Sequence, residues 1–206
     1  MNIRSNGLKA INLKDGDEVI NVVITDGHQN IIIGTHGYAI SFKEGEVRSM
    51  GRSATGVRGI RLRENDYVVG SAVLAPESKV LVITEKGYGK QTPAEEYPIK
   101  GRGGKGIKTA NITEKNGPLA GLVTVEGNED VMLITDRGVM IRFNVDNVST
   151  TGRSTLECTL LRRTKTKVAT MAIVEEEKDD ESEDSADTSA ATNEAPAASA
   201  ETQSEE

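Results

Sequence analysis

The feature that most constrains the fold is a repeat of about fifty residues that runs along the chain. Three similar segments, GRSATGVRGIRL, GRGGKGIKTANI and GRSTLECTLLRR, begin at Gly51, Gly101 and Gly152, at intervals of 50 and 51 residues. A turn glycine precedes each segment by fourteen residues, at Gly37, Gly87 and Gly138. This constant spacing indicates one structural unit that is copied along the chain.

Each unit contains four short stretches rich in Val, Ile and Thr, separated by Gly, Asn and Asp turns, which is typical of strands. The units span about residues 7–56, 57–106 and 107–157, and a closing strand follows at 167–174. A unit of this kind cannot cover its own apolar face, so neighbours must stack. The sequence therefore predicts an all-β, propeller-like array of about three four-stranded blades within residues 1–174.

The two ends of such an array are predicted to be open. The opening GLKAINL from Gly7 matches GVRGIRL and GIKTANI, so the chain begins inside a repeat. An open array leaves an apolar flank and unpaired strand edges. We therefore expect that Met1 is not the start of the architectural unit, and that the isolated chain is marginally folded or self-associates.

The charge is distributed very unevenly. Residues 175–206 carry thirteen acidic residues and one lysine, a charge of −12, and contain no aromatic residue and no Ile, Leu or Val. This composition predicts a disordered acidic tail, which could compete with phosphate for the basic residues or act only as a solubilising extension. Residues 1–174 carry 24 basic and 19 acidic residues, a charge of +5. The predicted folded part is basic.

The targeting and redox features predict a cytoplasmic protein. The sequence has no apolar run long enough for a membrane helix and no signal-peptide core. The single cysteine, Cys158, excludes an internal disulfide. Cys158 lies in a window, 156–166, that departs from the repeat through divergence or through a compensated reading-frame change.

Residues Gly101 to Gly106 match the dinucleotide-binding pattern G-x-G-x-x-G, but the context does not fit it. That pattern requires a helix after the last glycine, whereas a strand and the turn Asn116-Gly117 are predicted here. His28 and His36 have no cysteine partner at metal-ligand spacing. We therefore expect neither a nucleotide site nor a metal site.

Two sets of basic residues recur at fixed repeat positions and predict an edge that contacts a polyanion. Glycines let a backbone approach phosphate closely, and Arg and Lys neutralise phosphate charge. The predicted DNA-binding residues are Arg52, Arg102 and Arg153 in one set, Lys9, Arg58 and Lys108 in the other, and Lys100, Lys105, Arg61, Arg63 and Lys90 in addition. Few aromatic residues and no recognition helix favour contact with the duplex backbone over base stacking or base reading.

The segments MGRSATGVRGIRL, VITEKGYGKQTPAEEYPIKGRGGKGIKT and GVMIRFNVDNVSTTGR resemble the C-terminal DNA-wrapping domain of the DNA gyrase A subunit. The resemblance covers roughly residues 3–174 and implies a partial β-pinwheel, with the last three blades followed by the tail. The family's signature box is similar to Lys100–Gly106, which keeps Arg-Gly-Gly-Lys-Gly but lacks the leading glutamine and the basic residue after it. The box-like loop glycines are Gly101, Gly103, Gly104 and Gly106.

The resemblance implies a non-catalytic module that wraps duplex DNA within an ATP-dependent type II topoisomerase. It also implies an A2B2 assembly, in which the partners of this chain are the rest of the A subunit and the B subunit. In that family the cutting tyrosine follows an arginine, and here the four tyrosines follow Gly, Asp, Gly and Glu. ATP and magnesium are expected to act elsewhere in the assembly, so no cofactor is expected in this chain. A nucleoid-associated location is implied. The alternatives are a topoisomerase IV C-terminal domain and a propeller-like protein-interaction module.

Overall fold

The computed structural model describes residues 7–155, 158–160 and 166–174. These residues form strands and short 3-10 helices, and they contain no α-helix. The strands are β1 Asn30–Thr35, β2 Tyr38–Lys43, β3 Val68–Val73, β4 Lys79–Thr84, β5 Tyr88–Pro93, β6 Ile107–Lys108, β7 Leu119–Val125, β8 Asp130–Thr135, β9 Met140–Asn144, β10 Cys158–Thr159 and β11 Val168–Val174. The 3-10 helices are Glu44–Glu46, Ala94–Glu96 and Val145–Asn147. The predicted tail, residues 175–206, lies outside the described residues.

The strands form three antiparallel sheets, which confirms the all-β, blade-like prediction. The first blade has the strand order β3-β1-β2-β6, the second β10-β5-β4-β7, and the third, within the described residues, β11-β8-β9. Each blade is built around a hairpin that contains one of the turn glycines, and its other strands come from later in the chain. No helix in the described part of the chain has the length and apolarity needed to span a membrane.

The two largest core clusters lie between the blades, and the central strand β4 contributes side chains to both of them. Val80 and Val82 pack in the cluster that joins the first and second blades, whereas Leu81 and Ile83 pack in the cluster that joins the second and third. This alternation follows from the two-residue period of a strand that is buried on both faces. Gly70 meets the second blade so closely that a Cβ there would lie 2.5 Å from the Leu122 carbonyl oxygen. The blades therefore stack at backbone contact distance.

The fourth strand of a blade comes from the Gly-Arg segment that follows the next hairpin. In the first blade, Tyr38 pairs with Lys108 and Ala39 with Ile107, and β10 pairs with β5 in the same way in the second. Gly106, with φ +70°, enters this pairing where a Cβ would lie 2.7 Å from the Ala39 carbonyl oxygen. Because a strand of the following repeat completes each blade, the basic loop that leads into that strand lies at the edge of the preceding blade.

Candidate nucleic-acid interface

The basic segments of consecutive repeats lie side by side. Backbone hydrogen bonds join the first three, and the Arg153 side chain joins the fourth to the third. We call residues 7–14, 51–63, 100–111 and 152–155 the basic strip. The Asn12 amide donates to the Ala54 carbonyl at 3.0 Å, which joins the first two segments. Gly103 donates to Gly59 at 2.6 Å, and Arg61 donates to Gly104 at 2.7 Å. The strip is therefore continuous from one repeat to the next.

Most of the predicted DNA-binding side chains lie exposed on this strip. The exposed members are Lys9, Arg52, Arg58, Arg61, Arg63, Lys100, Lys105 and Lys108. The ion pairs found in the described part of the chain involve none of these eight side chains. Within the described residues, no carboxylate at ion-pair distance neutralises their charges, which leaves the strip with a positive potential that attracts polyanions.

Two of the exposed cations are held in place by local contacts. The Arg63 guanidinium carbon lies 3.3 Å from the centre of the Tyr38 ring, a cation–π contact, and its Nη1 donates to the Lys105 carbonyl at 3.0 Å. The Lys108 ammonium donates to Asn111 Oδ1 at 2.7 Å. These contacts restrict side chains that would otherwise be free to rotate.

Arg102 and Arg153 are half-buried, unlike the equivalent Arg52. Arg102 Nη1 donates to the Arg58 carbonyl at 2.7 Å, and Arg153 Nη1 donates to the Lys108 carbonyl at 3.3 Å. Each guanidinium therefore holds the backbone of the preceding segment of the strip. The prediction that both also contact DNA stays a prediction.

Lys90 corrects the predicted set of DNA contacts. Its side chain is fully buried, and its ammonium donates to three backbone carbonyls, those of Gly152 at 3.0 Å, Arg153 at 2.5 Å and Thr155 at 3.2 Å. A cation enclosed in this way cannot reach a phosphate at the surface. The prediction of Lys90 as a DNA contact is wrong, because its repeat position faces the inside of the array.

The glycine-rich loop from Gly101 to Gly106 lacks the geometry of a nucleotide site. It runs directly into β6, so no helix N-terminus faces the loop. Gly103 and Gly106 have positive φ, and together with Gly101 and Gly104 they let the loop turn closely over Ile40. A cavity of about 180 Å³ beside the loop is lined by Lys100 and Lys105 among others. The loop exposes basic side chains on a tightly turned backbone.

Two carboxylates, which the sequence analysis did not select, lie at the strip. Glu46 accepts a hydrogen bond from the Arg102 amide at 2.8 Å, and Glu96 accepts one from the Arg153 amide at 3.0 Å. Both glutamates end a 3-10 helix, and they occupy the same repeat position. That recurrence was the available signal, and it was missed because the search for repeat positions considered only basic residues.

A buried tyrosine precedes the glycine-rich loop by four residues. Tyr97 is 2% exposed. Burial raises the pKa of its phenol to about 12. Among the described residues, no group of three or more His, Cys, Asp or Glu side chains is placed to hold a metal ion.

A family model described as "DNA gyrase C-terminal domain, beta-propeller" matches residues 2–26, 31–75, 78–126 and 129–156. The chain is 49% identical over 182 residues to a DNA gyrase A subunit from Staphylococcus epidermidis, covering 86% of the chain. It is 48% identical to one from Staphylococcus aureus, covering 87% of the chain. The chain spans about a fifth of the length of these relatives, 20% and 21%.

Two solved structures share the fold. A C-terminal domain of DNA topoisomerase IV superposes with a TM-score of 0.77 at 28% identity, over 82% of this chain and 54% of that one. A DNA gyrase A C-terminal domain superposes with a TM-score of 0.75 at 24% identity, over 82% of this chain and 58% of that one. The fold is thus common to both kinds of domain, and the curated relatives named above are gyrase subunits.

Proposed function

Because this chain belongs to the family of DNA gyrase C-terminal domains, we propose that it binds duplex DNA through the phosphate backbone and wraps it along the basic strip. The observation that carries this proposal is the row of eight exposed cations, without ion pairs among the described residues, on loops that are hydrogen-bonded from one repeat to the next. A periodic row of charge matches a ligand that is itself a periodic polyanion. The binding energy would come from phosphate neutralisation and counterion release.

Backbone contact and bending suit this edge better than base reading. The described residues contain no α-helix that could enter a major groove, and the Tyr38 ring is covered by Arg63. Contacts that go mainly to phosphates act on any sequence, and affinity then varies with how easily a sequence bends. We expect the protein to bind unrelated duplexes with similar affinity and to favour flexible ones.

Within the larger enzyme, we propose that this chain is the non-catalytic wrapping module of a type II topoisomerase, next to the rest of the gyrase A subunit, together with the B subunit. Strand cleavage, ATP and magnesium would belong to other parts of that assembly. In support, the Tyr97 hydroxyl is buried with a raised pKa and is not available as a nucleophile. Wrapping would give the strand passage its direction and so produce negative supercoils on the bacterial chromosome.

The gyrase assignment is favoured over topoisomerase IV by sequence and not by fold. The two solved domains superpose almost equally well, with TM-scores of 0.77 and 0.75. The gyrase relative from Staphylococcus epidermidis is 49% identical, and the glycine-rich loop keeps Gly-Arg-Gly-Gly-Lys-Gly. A supercoiling module is therefore the better proposal.

Salt dependence tests the proposal with a matched pair of variants. The strip variant replaces Lys9, Arg58 and Lys108 with Gln. The control makes the same replacement at three exposed cations outside the strip, Lys43, Lys86 and Arg137. The affinity for two unrelated duplexes would be measured over a range of salt concentrations. Each lost phosphate contact flattens the log–log slope by about 0.9, so the strip variant should lose up to about 2.7 and the control almost nothing.

Equal slopes for the strip variant and the control would contradict contact through the strip. If the unmodified chain fails to bind either duplex at low salt, the wrapping proposal fails as a whole. The remaining candidate would then be an interaction module that uses the blades to bind protein.

A further inference from the structure

The two glutamates that lie at the strip form the first part of a contact that occurs twice. Glu46 Oε2 accepts the Arg102 amide at 2.8 Å, and the side chain of the same arginine donates to the Arg58 carbonyl at 2.7 Å. Glu46 ends the 3-10 helix of the first hairpin, whereas Arg102 follows the second hairpin. The three residues thus connect successive repeats, and we call this arrangement a bracket.

The second bracket repeats the first, one unit further along. Glu96 Oε2 accepts the Arg153 amide at 3.0 Å, and Arg153 Nη1 donates to the Lys108 carbonyl at 3.3 Å. The Glu96 carboxylate also lies 3.7 Å from Arg153 Nε. Each of the three positions is offset from its counterpart by 50 or 51 residues. Two brackets with the same parts indicate a repeated device and not an isolated contact.

Each bracket ends on the backbone of an exposed cation of the strip. Arg58 and Lys108 occupy the same repeat position, and both side chains are exposed. When its carbonyl is fixed by a guanidinium, the cation's Cα is held as well, while its charged side chain remains exposed to a phosphate. The two brackets therefore set the distance and the angle between successive cations along the strip.

A carboxylate at a DNA-binding edge works against affinity, because it repels phosphate. Glu46 and Glu96 nevertheless stand at the equivalent place in two units, where their oxygens meet backbone amides. At this place the carboxylates fix the backbone that carries the cations, and the path of a bent duplex depends on where those contacts lie. At the third equivalent position, Asn147 is uncharged and ends the 3-10 helix Val145–Asn147.

We propose that Glu46 and Glu96 are positioning residues that set the curvature of bound DNA, acting through Arg102 and Arg153 on Arg58 and Lys108. This inference rests on the proposed DNA binding. It assigns to the two arginines a role in geometry in addition to their charge. It also separates two properties of the strip, since the exposed cations determine affinity and the brackets determine the bend.

The test compares two double variants that change the charge equally. Glu46→Gln with Glu96→Gln removes both charges but keeps an acceptor oxygen for each amide, whereas Glu46→Met with Glu96→Met removes the charge and the acceptor. Bending would be measured at saturation by energy transfer between dyes at the two ends of a duplex. Glu95→Met, at an exposed neighbour on the same 3-10 helix, is the control for loss of one charge.

We expect both double variants to bind a short duplex at least as tightly as the unmodified chain, because each loses negative charge at the edge. The Met variant should lose about half of the bend or more, while the Gln variant and the Glu95→Met control keep it. Equal bends in the Met and Gln variants, whether retained or lost, would overturn the proposal, because the acceptor oxygen would then have no effect.

Hydrogen exchange without DNA separates failure of the brackets from failure of DNA binding. The Arg102 and Arg153 amides should be protected in the unmodified chain and in the Gln variant, and should exchange faster in the Met variant. Fast exchange of both amides in the unmodified chain would overturn the brackets even if the chain binds DNA. If the double Met variant does not fold, Glu46→Met and Glu96→Met tested singly should each deprotect only their own arginine amide.

Discussion

The loop at Gly101–Gly106 and the loop at 152–155 occupy the same place in successive repeats, but different side chains support them from below. Beneath the first lies Ile40, whose Cδ1 would be 3.3 Å from a Cβ at Gly104. Beneath the second lies Lys90, at the equivalent position, and its ammonium binds three carbonyls of the loop. One loop is shaped by glycines over an apolar side chain, and the other by a buried cation.

The difference shows that one loop position can be held by two kinds of force. In the glycine-rich loop, backbone freedom permits a tight turn, and no buried charge is required. The loop at 152–155 has a single glycine, and its carbonyls turn inward because an ammonium is there to receive them. Both loops keep the bracket to the hairpin of the preceding repeat, so the two loops share the same geometry at the edge although different side chains support them.

Replacing Lys90 should produce the largest effect and should be confined to the second loop. In Lys90→Met three loop carbonyls lose a buried, charged donor, which should lower the free energy of unfolding by about 3 kcal/mol. Ile40→Met places the same side chain at the equivalent position under the first loop and should cost less than about 1.5 kcal/mol. Chemical denaturation of both variants would measure these losses.

Local hydrogen exchange would sharpen the same comparison. The Arg153 amide should exchange faster in Lys90→Met, whereas the Arg102 amide should be unaffected. If Lys90→Met is as stable as Ile40→Met, the ammonium does not hold the loop at 152–155. The claim that the two loops are supported in different ways would then be wrong.

A smaller effect, limited to high pH, should come from Tyr97, which is buried four residues before the first loop. The buried Val148 holds the equivalent position before the second loop. Its pKa is raised to about 12, so the folded chain holds the phenol proton more tightly than the unfolded chain. That stability is present below about pH 10, and about 2 kcal/mol of it is lost as the pH rises to 12.

Denaturation of Tyr97→Phe between pH 9 and 12 would measure this loss, because the variant has no phenol to ionise. We expect the stability of the unmodified chain to fall more steeply over that range than that of Tyr97→Phe. Tyr67→Phe, at a half-exposed tyrosine, is the control for removal of one phenol. Parallel curves for Tyr97→Phe and the unmodified chain would show that the phenol is not held neutral by burial.

The repeat was sufficient to predict the sheets but not their pairing. Turn glycines at a constant spacing predict the three hairpins, because glycine adopts the positive φ that Gly87 and Gly138 show. The pairing of β6 with β2 joins segments from different repeats. No local pattern encodes such a partner, because an edge strand can pair with any strand of matching register.

The candidate site was predictable in its charges and not in its contacts. The exposed members of the two basic sets follow from periodicity alone. Lys90 was misjudged because lysine is seldom buried, although the equivalent positions hold Ile40 and Ile141, which marks that position as interior. The brackets could not be derived, because the reach of Glu46 to the Arg102 amide depends on how two blades stack.

The central claim is that the basic strip wraps duplex DNA, and the linking number tests it most directly. A nicked plasmid would be sealed by ligase with the chain bound, then freed of protein, and its topoisomers would be separated. Wrapping stores writhe in the sealed circle, so the account predicts a shift in linking number that grows with the amount of bound protein and disappears at high salt. An unchanged topoisomer distribution at saturating protein and low salt would contradict the account, because binding without wrapping leaves the linking number unaltered.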